Sequence, residues 1–253
     1  MKLLLISNST TPGQPYLQWP TEHIRKFLGG CAESVAFVPY AAVSFSYDEY
    51  EARVQKAFEP LGIEVRSVHR ESDPARAIRE AEAIVVGGGN TFALLKKMQE
   101  QGLVDAIRMA VTELGTPYVG WSAGSNVCCP TICTTNDMPI VEPKSFAAVG
   151  AVPFQINPHY LDAHPDGHAG ETREQRIGEY LVANPTMWVA GLRESCLLHV
   201  TGGANSGSGD GAGSAAADTM KVTLVGDRPM RVFRHGTQPR EVNPGDDLSF
   251  LLQ

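Results

Sequence analysis

The sequence predicts an α/β fold, a mostly parallel sheet flanked by helices on both faces, with an antiparallel extension towards the C-terminus. Three observations carry this expectation. Short apolar runs of four to six residues alternate with helical patterns through the first half of the chain. Glycines cluster where a run ends and a helical pattern begins, at Gly87-Gly88-Gly89 and again at Gly120 and Gly124. The second half holds several short runs, the last of them closely spaced as paired strands are. A strand that leads through a helix to the next strand re-enters the sheet at the same end, so such strands run parallel and both faces become covered.

In chain order, residues 3–7, 35–39, 63–68, 83–86 and 117–120 read as buried strands, being too short for independent helices and bounded by turn residues. Residues 47–61, 74–81, 91–99 and 104–114 read as helices between them. Ser72-Asp73-Pro74 is a helix start, because proline at the first turn breaks no helical hydrogen bond, and Gly115 is a stop. Further on, residues 154–156 read as a short strand, 171–183 as a helix, and 186–190, 196–200, 221–225 and 230–234 as strands. The last three are expected to pair as an antiparallel meander. Residues 201–218, rich in Gly, Ala and Ser, are expected to form a flexible surface insertion with too few apolar groups to pack. The whole, residues 1–253, reads as one domain.

Composition narrows the function classes. With 253 residues, 43% of them hydrophobic, the chain can build a core without disulfides. Its five cysteines (Cys31, Cys128, Cys129, Cys133 and Cys196) are odd in number and lack C-x-x-C spacing, which argues against a disulfide framework or a zinc knuckle. A reducing, cytoplasmic compartment fits best. The net charge of −7 disfavours nucleic acid as a partner. No run approaches the ~18 apolar residues of a membrane helix. The N-terminal residues 1–7 are too few for a signal peptide and read as the first strand. Neither cofactor nor metal is expected. His159, His164 and His168 are close in sequence, but Pro158, Pro165 and Gly167 break any helix that would align them as ligands. A monomer or weak homodimer is expected.

The sharpest motif is Gly120-Trp121-Ser122-Ala123-Gly124, a serine between glycines at the end of a strand and the start of a helix. This is the G-x-S-x-G nucleophile elbow. Its flanking positions have no room for a side chain, the Ser122 hydroxyl is pushed out beyond the sheet, and the Ala123 N–H faces a forming oxyanion. Gly87-Gly88-Gly89-Asn90-Thr91 also follows a strand and precedes a helix. Both loops should emerge at one end of the sheet, so an N–H of Gly88 or Gly89 can complete an oxyanion hole with Ala123. Asn90 in the same loop is a candidate substrate contact. The spacing is not G-x-G-x-x-G, which argues against dinucleotide binding.

A serine hydroxyl needs a base. Among seven histidines, His159 is best placed, in Gln155-Ile156-Asn157-Pro158-His159 just past a short strand. The base in turn needs an acid to orient it. Glu194, beyond the 186–190 strand, and Asp137, in a polar loop soon after the elbow, both qualify, and either could instead pair with a substrate ammonium group. The residues by themselves leave both open.

Six stretches in this order, Leu3-Leu4-Leu5-Ile6-Ser7-Asn8-Ser9-Thr10, Val85-Val86-Gly87-Gly88-Gly89-Asn90-Thr91-Phe92, the elbow, Thr134-Thr135-Asn136-Asp137-Met138-Pro139-Ile140, Ile156-Asn157-Pro158-His159 and Gly170-Glu171-Thr172-Arg173-Glu174-Gln175-Arg176, carry a resemblance. Through them the chain resembles, nearly end to end, the α-aspartyl dipeptidases of peptidase family S51. The resemblance implies a flavodoxin-like fold related to the class I glutamine amidotransferases. It also implies hydrolysis of dipeptides with an N-terminal aspartate by a Ser-His-acid triad, so that the partner is a small peptide. Carried over by motif, Ser122 is the nucleophile, His159 the base and Glu194 the acid, with Asp137 as the alternative. Arg173 matches the cation that would hold the substrate β-carboxylate in two hydrogen bonds. Two departures stand out: Cys133 occupies a position where bacterial members often carry arginine, and the insertion after Val200 is longer than usual. Two rival readings are a cyanophycinase-like β-aspartyl peptidase, which would want an open groove with acidic residues, and a non-catalytic peptide or amino-acid sensor.

Overall fold

The computed structural model describes residues 1–162, 170–202 and 220–253. The chain runs β1 (Lys2–Ile6), α1 (Thr21–Leu28), β2 (Ser34–Val38), α2 (Tyr47–Phe58), β3 (Glu64–Ser67), α3 (Pro74–Arg79), β4 (Ile84–Val86), α4 (Thr91–Glu100), α5 (Leu103–Thr112), β5 (Tyr118–Trp121) and α6 (Ala123–Asn126). It continues β6 (Gln155–Pro158), α7 (Arg173–Ala183), β7 (Trp188–Leu192), β8 (Cys196–Thr201), β9 (Lys221–Gly226), β10 (Met230–Arg234) and β11 (Arg240–Val242).

Local chemistry sets the helix starts. Ser46 and Glu49 close a capping box at α2, Thr172 and Gln175 do the same at α7, and Asp73 accepts from the Arg76 N–H at α3, with Pro74 just inside. The strands are apolar at successive positions because both faces of the sheet are covered. Leu3 and Leu5 of β1 join one core, and Leu4 and Ile6 join the other. In β4, Ile84 and Val86 face the first core and Val85 the second.

Seven strands form the main sheet in the order β3-β2-β4-β5-β1-β8-β9. The first five run parallel, while β8 and β9 extend the sheet antiparallel. A second, four-stranded sheet has the order β11-β10-β7-β6, with β6 and β7 parallel and β10 antiparallel to both β7 and β11. Leu3 and Val86 of the main sheet and Ile156, Leu192 and Val232 of the second share one buried cluster.

The parallel strands and the helices between them lie within a few residues of the positions expected from sequence. Two differences are informative. Helix α1 was not expected, although Ile24 and Leu28 fall one turn apart and are both buried. The expected three-strand meander forms only in its first pair: β10 leaves β9 and pairs with β7 instead. The chain departs at Gly226, which adopts a φ of +140° open to glycine. Pro229, just before β10, has no N–H to continue a ladder, and the buried side chains of Met230 and Val232 enter the cluster shared with β7. The expected insertion at 201–218 falls almost wholly on residues 203–219, outside the described residues. Among the described residues, no helix is long and apolar enough to cross a membrane.

Arg193, directly after β7, ties down the second sheet. Its guanidinium reaches both Asp162 oxygens at 2.8 and 2.6 Å, both Glu241 oxygens at 2.7 and 2.9 Å, and the Pro229 carbonyl at 2.5 Å. Hydrogen bonds from Arg193 hold the Asp162 and Glu241 carboxyls below their ordinary values. A carboxyl depressed on folding stabilises the protein above its unfolded pKa, and that contribution is lost as pH falls through the folded value. Replacing Arg193 by Met should therefore lower Tm near neutral pH and flatten the loss of Tm from about pH 4 downward; thermal melts across the acid limb test this. A second pair of variants checks the packing. A Cβ at Gly124 would lie 2.1 Å from the Val86 carbonyl oxygen, whereas one at Gly178 on α7 meets nothing within 4 Å. By urea unfolding, Gly124→Ala should destabilise by about 3 kcal/mol, and Gly178→Ala should stabilise by up to about 1 kcal/mol.

Candidate active site

Four strands of the two sheets deliver their carboxyl ends to one place. Ser122 follows β5, the glycine run follows β4, His159 follows β6, and Glu194 lies two residues beyond β7. Ser122 has φ 53° and ψ −114°, a region that a residue with a Cβ rarely occupies. The turn is enforced by contact: a Cβ at Gly120 would lie 2.5 Å from the Gly124 carbonyl oxygen. This is the predicted elbow, with Ala123 opening α6 behind it.

The His159 ring bridges two of the expected partners. Its Nε2 lies 2.9 Å from Ser122 Oγ and its Nδ1 2.7 Å from Glu194 Oε1. An ionised carboxylate can only accept, so Nδ1 carries the proton towards Glu194, and the free lone pair on Nε2 accepts from the serine hydroxyl. The side chains of His159 and Glu194 are 37% and 39% exposed, so both are reachable from solvent.

Sequence reasoning passed over the residues that hold this arrangement, which lie in succession at the end of β1. The Ile6 carbonyl accepts from Ser122 N at 3.0 Å. Ser7 Oγ accepts from His159 N at 2.9 Å while donating to the Leu192 carbonyl at 2.8 Å. Asn8 Oδ1 accepts from Ser195 N at 2.8 Å, beside Glu194. Ser7 and Asn8 are buried. The signal available in the sequence was two polar residues directly after an uninterrupted apolar strand. Four non-glycine residues among those described have positive φ, and three of them, Ser122, His159 and Ser195, belong to this arrangement.

The second carboxylate, Asp137, is placed elsewhere. Its Oδ2 accepts from Thr91 N at 2.7 Å, from Thr91 Oγ1 at 2.6 Å and from Thr135 Oγ1 at 3.2 Å. Asp137 thus grips the first turn of α4, just after the glycine loop, and makes no hydrogen bond to His159. Asn90, expected to touch substrate, uses both ends of its amide within the fold: Oδ1 caps α4 through Ala93 N and Nδ2 donates to the Met138 carbonyl. Gly88 lies against Ser122, where a Cβ would come within 3.0 Å of the serine Cβ, and Gly89 has φ +138° with no room for a Cβ against the Ala41 carbonyl. Neither the Gly88 nor the Gly89 N–H meets an acceptor among the described residues, nor does that of Ala123.

Beside these loops is a cavity of about 160 Å³ lined by Cys133, Asp137, Asn157, Arg173 and Arg176 among others. Arg173 makes no ion pair among the described residues, and burial together with the charge of Arg176 lowers its pKa. The cavity wall is joined to the histidine strand, since Asn136 Nδ2 donates to the Pro158 carbonyl at 2.6 Å. Among the described residues, one group, Asp48, Glu51 and His69, has the proximity of metal ligands, but Arg70 already pairs with both of its carboxylates at 2.7 and 2.6 Å. His164 and His168 fall outside the described residues.

The chain is 44% identical to Peptidase E of Nostoc sp. over 252 residues, covering 100% of this chain and 97% of that one. It is 47% identical to Peptidase E of Streptomyces coelicolor over 253 residues, with 100% and 95% covered. Among solved structures, a peptidase from an acI-B1 Actinobacterium superposes with a TM-score of 0.66 at 16% identity, covering 98% of this chain and 96% of that one. A putative Peptidase E protein from Listeria monocytogenes gives 0.57 at 23% identity over 78% and 93%. These two likenesses speak to the fold. The profile of peptidase family S51 matches residues 3–206, and on that span together with the full-length relatives the chain belongs to peptidase family S51.

Proposed function

We propose that this S51 peptidase is a serine-type dipeptidase that hydrolyses Asp-Xaa dipeptides through an aspartyl-enzyme intermediate. The observation that carries the reading is the continuous chain from Ser122 Oγ through the His159 ring to Glu194, with links of 2.9 and 2.7 Å. In this reading the substrate β-carboxylate docks on Arg173, which has no ion-pair partner among the described residues. Ser122 Oγ attacks the aspartyl carbonyl as its proton passes to His159 Nε2. The oxyanion is met by N–H groups of Ala123 and of Gly88 or Gly89. Collapse breaks the peptide C–N bond, and His159 returns the proton to the leaving amine. A water molecule then attacks the ester, giving its proton to His159, and Ser122 leaves with that proton restored. Glu194 holds the ring in one tautomer and stabilises the imidazolium in both steps.

The choice of Glu194 over Asp137 as triad acid is supported by the His159–Glu194 hydrogen bond and by the commitment of Asp137 to Thr91. A small cavity with two arginines on its wall suits one short acidic side chain; it offers less to an arginine-bearing polymer, which would call for an acidic groove. A sensor has no need of three strained backbone positions around a serine and an imidazole. The partner is accordingly a small peptide, and five free cysteines support a reducing, cytoplasmic compartment.

Three measurements test this. Ser122→Ala should lower kcat on Asp-Leu by roughly 10⁴-fold or more, on the scale of other triads, and near-normal turnover would refute the covalent route. Glu194→Gln should lower kcat by at least about 10³-fold, and Asp137→Asn by clearly less, because only the first leaves the imidazolium without its carboxylate; the reverse order would make Asp137 the acid. Arg173→Met should cut the preference for Asp-Leu over Asn-Leu by roughly 30- to 100-fold, the worth of a charged hydrogen-bond pair. An unchanged preference would place selectivity elsewhere.

A further inference from the structure

Tyr50 lies on α2, 38 positions before Gly88 in sequence, and is 2% exposed. Its hydroxyl donates to the Gly88 carbonyl at 2.8 Å. The same oxygen lies 3.3 Å from Trp121 Nε1 and 3.4 Å from Tyr16 Oη. The direction of these bonds is determined by chemistry. An indole N–H can only donate and a carbonyl can only accept, so the phenolic hydrogen goes to Gly88 and the phenolic oxygen accepts from Trp121. Burial also raises the pKa of the Tyr50 phenol, which keeps that hydrogen in place. Packing holds the ring: Phe37 and Phe45 meet it edge-on at 5.0 and 5.3 Å between centroids, and a Cβ at Gly87 would lie 2.5 Å from the phenolic oxygen.

We propose that Tyr50 is a positioning residue for the oxyanion hole, holding the Gly88–Gly89 peptide so that its N–H faces the reacting carbonyl. In a trans peptide the C=O and N–H point in opposite directions, and the described residues contain no cis bond. With the Gly88 oxygen drawn down to the buried phenol, the Gly89 N–H must leave on the other side. That side is open, because Gly89 is exposed and Gly88 half-buried against Ser122. A glycine pair has little intrinsic preference for one peptide orientation, so without this bond the loop could turn its carbonyl towards the oxyanion and oppose the charge. Trp121, which directly precedes the nucleophile, donates to the same phenol, so one hydroxyl sets the register between the elbow and the loop facing it. This inference rests on the proposed acyl transfer.

The test is Tyr50→Phe, which removes one oxygen from the packed ring. On Asp-Leu, kcat should fall at least about tenfold, below the loss expected from deleting an oxyanion donor outright, with KM within about twofold. Inhibition by an aspartyl aldehyde, which forms a tetrahedral adduct with serine, should weaken by the same factor, while inhibition by free aspartate stays within about twofold. A merely structural role would move both inhibitors together. Incorporating 4-aminophenylalanine at position 50 keeps a donor there and should recover at least a third of the lost turnover. It also replaces Tyr50→Phe should that variant show no cooperative melt, and a folded amino variant that is itself tenfold slow overturns the assignment. Unchanged kcat in Tyr50→Phe, or equal loss of aldehyde and aspartate affinity, overturns it as well. A wild type inert to Asp-Leu and to fluorophosphonate labelling at Ser122 would overturn the peptidase reading and this one with it. An active wild type with an unimpaired Tyr50→Phe would overturn the Tyr50 assignment alone.

Discussion

The site depends on the last hydrogen-bonding groups of β1. Ile6, Ser7 and Asn8 present a carbonyl, a hydroxyl and an amide oxygen in succession, and these accept the backbone N–H groups of Ser122, His159 and Ser195. The three targets come from segments far apart in sequence. A central strand is well suited to gather them. β1 lies between β5 and β8 in the main sheet, with Leu3 and Leu5 buried on one side and Leu4 and Ile6 on the other. Any displacement of its end would require the displacement of both cores. Buried polar groups with good partners cost little, but each would cost the full desolvation of the group if its partner moved away. That asymmetry makes the end of β1 a template for the Ser122–His159–Glu194 arrangement.

Strain is the counterpart of this rigidity. Ser122, His159 and Ser195 all hold positive φ, at a typical cost of about 1–3 kcal/mol each. Such conformations persist only where the surroundings over-determine them. Here the surroundings are the Ile6, Ser7 and Asn8 acceptors, the glycine contacts at 120 and 124, and the Arg193 cluster immediately before Glu194. What the fold gains is pre-organisation: the imidazole already lies between hydroxyl and carboxylate before any substrate arrives.

The two carboxylates show how similar residues acquire different surroundings. Glu194 is partly exposed and faces an imidazole, so its charge is available to an imidazolium. Asp137 faces the N-terminal turn of α4, where main-chain and hydroxyl donors meet one of its oxygens. Its position ties the 134–138 loop to the glycine run, and the same loop lines the cavity with Arg173 and Arg176. The glycine loop is therefore tied to the cavity wall through Asp137 and to the strand before Ser122 through Tyr50.

Much of this was legible in the chain. The parallel core could be read from short apolar runs, because two-sided burial writes itself as uninterrupted hydrophobicity. The elbow could be read from its glycines, because the excluded Cβ atoms are a local property. Helix α1 was obscured by its short length and its proline- and glycine-containing approach, and β10 chose its partner through a glycine and a proline whose effect appears only when both sheets are present. Sequence by itself determined the residue types of the site and the strand ends on which they sit. Tertiary structure alone decided which acid faces the imidazole, and that Ser7, Asn8 and Tyr50 hydrogen-bond to the segments around Ser122, His159 and Glu194. The physical reason is that hydrogen bonds between residues tens to hundreds of positions apart leave no local periodicity; their geometry exists only once the strands are in register.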